Sequence, residues 1–128
     1  MPIKLLIVDD DKNFIETLED GLRLKQLDAE ITVAKSAREG LAELAKAAPS
    51  LIILDVQLPD MHGIEFMKVI KDSARLKDVP IIFISAKYTE PADRAEAVLG
   101  GAAAFFSKPI DIEELWKEIR YLLDTTKR

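Results

Sequence analysis

Ile3-Lys4-Leu5-Leu6-Ile7-Val8 runs directly into Asp9-Asp10-Asp11, and Leu51-Ile52-Ile53-Leu54 runs directly into Asp55. Two further runs behave alike: Ile81-Ile82-Phe83-Ile84 meets Ser85, and Ala102-Ala103-Ala104-Phe105-Phe106-Ser107 meets Lys108-Pro109. A fifth, Ile31-Thr32-Val33-Ala34, ends in no group with evident chemistry. Between the runs, apolar residues recur with helical spacing. The stripes are Phe14, Leu18 and Leu22; Ala37, Leu41, Leu44 and Ala48; Ile64, Met67 and Ile70; Ala92, Ala95, Val98 and Leu99; and Ile112, Leu115, Trp116, Ile119, Leu122 and Leu123. Ser36 is placed to cap the second helix, with Glu39 in the capping-box position and Pro49 as its stop, and Gly100-Gly101 closes the fourth. Strand and helix thus alternate five times. That order predicts an α/β domain with right-handed crossovers and one parallel sheet covered by helices on both faces. Near-continuous apolar runs are what doubly covered strands require. Glu30 and Thr32 mark the second run as an edge strand.

The chain has 128 residues, enough for one domain with a substantial core. Its 48% hydrophobic and 32% charged content is ordinary for a globular protein. A net charge of -5, with no basic stripe, argues against a nucleic-acid surface in this domain. With no cysteine, disulfides, zinc–thiolate sites and thiol catalysis are excluded. The first apolar run is short and opens into acids, which fits neither a signal peptide nor a membrane span, so a cytoplasmic location is expected. No internal repeat or low-complexity linker is visible. Thr125 to Arg128 follow the last helical pattern, which fits either a stand-alone domain or part of a longer protein.

In sheets of this kind ligands bind at the carboxyl ends of the strands, where the strand order reverses. That edge gathers acids, a hydroxyl and an amine. Adjacent carboxylates at Asp9-Asp10 repel each other unless a cation neutralises them, and a hard oxygen site suits Mg²⁺. Asp10 or Asp11 also suits a helix N-cap, Asp11 the better of the two. Asp55, partly desolvated beside these acids, has the makings of a nucleophile toward phosphorus. Ser85 can hydrogen-bond a phosphoryl oxygen, and Ala86 beside it leaves room, although most serines after strands serve as turn caps. Lys108 can act as a point charge toward Asp55 and then toward a phosphoryl group; read alone, it is a surface lysine.

The order and spacing of these pieces resemble the receiver domain of two-component response regulators, over nearly the whole chain. The matching stretches are Val8-Asp9-Asp10, Leu54-Asp55-Val56-Gln57-Leu58-Pro59-Asp60-Met61-His62-Gly63, Pro80 to Ala86, Gly101-Ala102, Phe105 and Lys108-Pro109. The resemblance implies a single flavodoxin-like (βα)5 receiver domain over residues 1–128, with strand order 2-1-3-4-5. It implies that Asp55 accepts a phosphoryl group from the phosphohistidine of a sensor histidine kinase or phosphotransfer protein. Asp10, Asp55 and the backbone carbonyl of Gln57 would hold Mg²⁺, with Mn²⁺ as an alternative and Asp9 acting through water or from the outer shell. Ser85 and Lys108 would bind the phosphoryl oxygens, and the Lys108–Pro109 peptide would be cis.

By the same resemblance, Ser85 and Phe105 would form the switch, and Phe105 lacks the hydroxyl of the tyrosine often found there. Gln57 and Lys87 would tune hydrolysis of the acyl phosphate. The output surface would be the fourth helix, fifth strand and fifth helix, from about Thr89 to Leu99 with Phe105 and the outer face of the last helix. It would meet a downstream effector or an output domain, or a second copy of the chain. Such a domain catalyses its own phosphorylation and dephosphorylation and is no turnover enzyme on a separate substrate. It binds neither nucleic acid nor membrane itself.

An aspartate phosphatase of the haloacid dehalogenase type needs a second acid two residues after the nucleophile, where this chain has Gln57. A flavodoxin-like cofactor binder needs a glycine- or hydroxyl-rich loop after the first strand, where this chain has acids. A degenerate receiver, binding partners without phosphorylation, is the remaining alternative. His62, the one histidine, lies between Met61 and Gly63 and reads as an exposed loop residue rather than a phosphorelay histidine. Trp116 reads as packing, and Lys68, Lys71 and Lys77 as a solvated face.

Overall fold

The computed structural model describes residues 3–25, 28–86 and 91–126. Five strands, β1 (Ile3–Val8), β2 (Ala29–Ala34), β3 (Leu51–Asp55), β4 (Ile81–Ser85) and β5 (Ala104–Ser107), alternate with five helices. These are α1 (Lys12–Leu24), α2 (Ala37–Lys46), α3 (Gly63–Lys71), α4 (Pro91–Leu99) and α5 (Ile112–Thr126). All strand pairs are parallel, in the order β2-β1-β3-β4-β5. The order reverses at β1, so the groove between the ends of β1 and β3 is the ligand position of the fold. Every residue of β3 and β4 is buried, while β2 is mostly half-exposed at its edge.

Alternating side chains send the strands into two separate cores. On one face Leu6, Val8, Ile52, Leu54, Ile81 and Phe83 pack with α2, α3 and Ala97. On the other, Leu5, Ile7, Ile53, Ile82 and Ile84 pack with α1 and α5. Phe14, Leu18 and Leu22 are buried as their spacing predicts, as are Leu115, Ile119 and Leu123, with Trp116 half-buried beside them. On α3, Phe66 is fully buried in addition to Ile64, Met67 and Ile70.

One local expectation changes. Ser36 does cap α2, its Oγ accepting from the Glu39 N–H at 3.1 Å. The Glu39 carboxylate, however, accepts from the Lys35 N–H at 3.3 Å, one residue before the cap, so the box closes on a neighbouring donor. On α4 the apolar stripe Ala92, Ala95, Val98 and Leu99 is exposed, and Ala97 alone among the described side chains of the helix is buried. An Ala-rich helix gains little from burial, and only its one small inward residue meets the core. The helix ends as expected, with Gly101 at a φ of 105°. Lys87 and Thr89 lie outside the described residues.

Candidate functional site

Parallel pairing of Val8 with Leu54 sets the end of β1 beside the end of β3. Asp9, Asp10 and Asp55 follow from those ends, and one carboxylate oxygen from each lies within 4.8 Å of the others. Asp9 and Asp55 are buried, whereas Asp10 is exposed. Asp11 is drawn away to cap α1: its Oδ1 accepts from the Phe14 N–H at 3.2 Å. Its own N–H donates to Asp9 Oδ1 at 2.8 Å. Among the described residues, Asp9 Oδ2 is buried and accepts no aligned hydrogen bond.

Lys108 answers this negative charge. Its ammonium is 2.9 Å from Asp9 Oδ2, 3.5 Å from Asp11 Oδ2 and 3.8 Å from Asp55 Oδ2. It also lies 4.3 Å from the centre of the Phe14 ring. The sequence suggested a first pairing with Asp55; the nearer partner is Asp9, because Asp9 is the most buried of the three acids and lacks another donor at that oxygen. Burial disfavours the charge on Lys108, but Asp9, Asp55 and Asp11 together outweigh it and hold the ammonium above its ordinary value. The backbone N–H of Lys108 donates to the Ser85 carbonyl at 2.7 Å, tying the ends of β4 and β5 together. Ser85 is buried at that end. The Lys108–Pro109 peptide is cis.

Asp55 is pushed up to about 6, first by burial and then by the charge of Asp9, against the pull of the Gln57 N–H and Lys108. The Gln57 N–H donates to Asp55 Oδ1 at 3.1 Å. A carboxyl with a raised pKa binds more protons folded than unfolded, so its charge weighs against the fold above that value. Stability in metal-free buffer is therefore expected to rise as pH falls from about 7.5 to about 5. Below that range the trend reverses: Asp11, held low chiefly by the Phe14 N–H, loses its contribution when it protonates. Thermal denaturation across this range checks the sign; a melting temperature that falls steadily from pH 7.5 to 5 would contradict it.

The donor set suits a divalent cation. The buried Oδ2 of Asp9, which has the Lys108 ammonium at 2.9 Å but no aligned donor, the exposed carboxylate of Asp10 and the carboxylate of Asp55, one oxygen of which accepts from the Gln57 N–H, are hard oxygens that suit such an ion. Among the described residues, the Lys108 ammonium is the cation within 4 Å of buried Asp9 and Asp55 and of exposed Asp11.

The loop from Val56 to His62 closes the site's rim. Gln57 and His62 form an antiparallel bridge, and the Gly63 N–H donates to the Val56 carbonyl at 2.6 Å. Only glycine fits at 63, since a Cβ would lie 2.6 Å from the Asp55 carbonyl oxygen and 2.8 Å from Val56 Cα. His62 is exposed, as expected, yet it is the N-cap of α3, its Nδ1 accepting from the Ile64 N–H at 3.1 Å. Asp60, quoted only as part of a motif, reaches across to α2: its two oxygens accept from the Ala37 and Arg38 N–H groups at 2.8 and 3.0 Å. Those two bonds, Ala37's first, hold its carboxyl below the ordinary value. Phe105 is half-buried on β5, 6.1 Å from the Phe83 ring centre, with the Arg94 guanidinium of α4 4.9 Å from its own. Sequence spacing gave no sign of that Arg94 contact.

Residues 5–120 match the response regulator receiver domain family. The chain is 38% identical over 122 residues to the KDP operon transcriptional regulatory protein KdpE of Escherichia coli, covering 93% of this chain and 50% of that one. It is 33% identical over 122 residues to response regulator Rre1 of Synechocystis, covering 95% of this chain and 52% of that one. The chain thus spans about half the length of these relatives. Its structure superposes on the chemotaxis response regulator CheY4 of Vibrio cholerae with a TM-score of 0.84, 31% identity, and coverage of 96% and 100% of the two chains. Among the described residues no helix is long and apolar enough to cross a membrane.

Proposed function

The chain belongs to the response regulator receiver domain family of two-component systems, and from that membership we propose that Asp55 is its phosphoacceptor. The observation that carries this reading is the placement of Asp55 beside Asp9 and Asp10 with Lys108 opposite. A carboxylate oxygen of Asp55 attacks the phosphorus of a phosphohistidine on a sensor kinase or phosphotransfer protein. The new P–O bond forms as the donor's P–N bond breaks, and the imidazole leaves with the electron pair and takes up a proton. Phosphoryl transfer needs chiefly positioning and charge stabilisation. Lys108 swings its charge from Asp9 toward the arriving phosphoryl oxygens, and the Ser85 hydroxyl donates to another.

Asp10, Asp55 and the Gln57 carbonyl would hold Mg²⁺, or Mn²⁺ in its place, with Asp9 acting through water or from the outer shell. When bound, the cation neutralises charge on the transferring group. Gln57, exposed at the rim, governs the approach of the water that later hydrolyses the acyl phosphate. An open groove of about 420 Å³ lined by Phe14, Thr17, Pro109 and Ile110 beside Lys108 gives the donor protein room to approach.

The signal leaves by α4, β5 and α5. Ala92, Ala95, Val98 and Leu99 expose an apolar stripe on α4, and Tyr121 is exposed on α5. Such a stripe is available to an effector, an output domain or a second copy. Phosphorylation adds roughly two negative charges at the site, draws Ser85 inward and lets Phe105 follow. Lacking a hydroxyl, Phe105 switches by packing against Phe83 and by its contact with Arg94. The protein works in the cytoplasm, where its kinase and output lie.

Intact mass after incubation with acetyl phosphate tests the chemistry. One phosphate is expected on the unsubstituted chain with Mg²⁺, and none on Asp55→Asn or after chelation. An adduct on both proteins, indifferent to chelator, would overturn the assignment.

A further inference from the structure

The Val56–His62 loop is secured at its base and at its tip by different means. The base is closed by the Gln57–His62 bridge and by the Gly63 N–H to the Val56 carbonyl. At the tip, Asp60 leaves its own loop and spans to a helix 22 and 23 residues earlier, placing one oxygen on Ala37 N–H and the other on Arg38 N–H. That helix already has a cap of its own, because Ser36 Oγ serves the Glu39 N–H. The two caps serve different donors of the same turn, so Asp60 is not redundant with Ser36. It is also exposed, and its removal opens no hole in the core.

We propose that Asp60 is a positioning residue for the cation site: by seating the loop on α2 it holds Gln57 at the rim of the Asp9, Asp10 and Asp55 cluster. This rests on the reading of Gln57 as a backbone ligand. A carbonyl ligand contributes to affinity only if its peptide is already held in place, since ordering it on binding is a cost subtracted from the gain. Coupling of this kind is reciprocal. Cation binding in the groove therefore slows hydrogen exchange at the Ala37 and Arg38 amides, on an element that itself supplies no ligand.

The test is a titration of the full chain with MgCl2, followed by amide shifts in NMR, alongside amide exchange rates. Asp60→Ala is expected to weaken Mg²⁺ binding about fivefold, the factor equivalent to losing one helix cap. Asp60→Asn, which keeps one acceptor oxygen, is expected to fall between. Ser36→Ala separates the proposal from plain helix weakening: it frays the same turn but leaves the loop seated, so the Mg²⁺ affinity is expected to hold. Unchanged affinity in Asp60→Ala, with faster exchange at Ala37 and Arg38, would reduce Asp60 to a cap and overturn the proposal. An equal loss in Ser36→Ala would overturn it too. No Mg²⁺ binding by the unsubstituted chain would instead bring down the metal reading beneath it, a failure recognisable before any substitution is made.

Discussion

Lys108→Ala is expected to lower stability by about 3 kcal/mol in metal-free buffer near neutral pH, the scale of breaking one partner from a buried ion pair. The side chain is only 9% exposed, and among the described residues it is the cation within 4 Å of Asp9, Asp11 and Asp55 alike. Without it, Asp9 Oδ2 stays buried with neither a charge partner nor an aligned donor. Added Mg²⁺ is expected to restore much of the loss, because a divalent cation can supply the charge that the ammonium supplied. Denaturant unfolding with and without Mg²⁺ measures both effects. If Lys108→Ala is as stable as the unsubstituted chain in chelator, the acids are not held in check by Lys108. Phosphorylation by acetyl phosphate is expected to slow about a hundredfold in the same variant, the effect of removing one group that stabilises charge in a transition state.

Phe66→Ala is the largest expected loss away from the site. The ring is fully buried between α2 and the sheet, with its edge 3.1 and 3.2 Å from where a Cβ on Gly40 would stand. Truncation leaves a cavity that rigid neighbours on β1 and α2 cannot fill, and costs about 3 to 5 kcal/mol. Against a total of about 5 to 15 kcal/mol for a domain, that brings the midpoint of urea unfolding sharply down. An unchanged midpoint would mean that α2 closes onto α3 without it.

Much of this architecture was legible because parallel strands buried on both faces need unbroken apolar runs. Leu51 to Leu54 and Ile81 to Ile84 meet that need and are fully buried. The helices that pack hard announced themselves by spacing, but spacing alone does not separate them from α4. Its Ala92, Ala95, Val98 and Leu99 have the period of a buried face but turn to solvent, since periodicity reports one apolar side of a helix and not what covers it. The acids at the strand ends were legible from position. Their partners were not: the choice of Asp9 over Asp55 by Lys108 depends on which carboxylate the fold buries with a spare lone pair. Asp60 looked like one more turn residue, because the helix it caps lies 22 residues back in the chain and only the fold brings the two together.

The carboxylate proposed to carry the phosphoryl group in this acidic cluster can be identified chemically. Borohydride reduces an aspartyl phosphate to homoserine, a change that peptide mass spectrometry assigns to a single residue. After acetyl phosphate and Mg²⁺, homoserine is expected at position 55 and nowhere else. Conversion at Asp9 or Asp10, or a phosphate adduct that resists borohydride because it sits on a hydroxyl or on His62, would contradict the account.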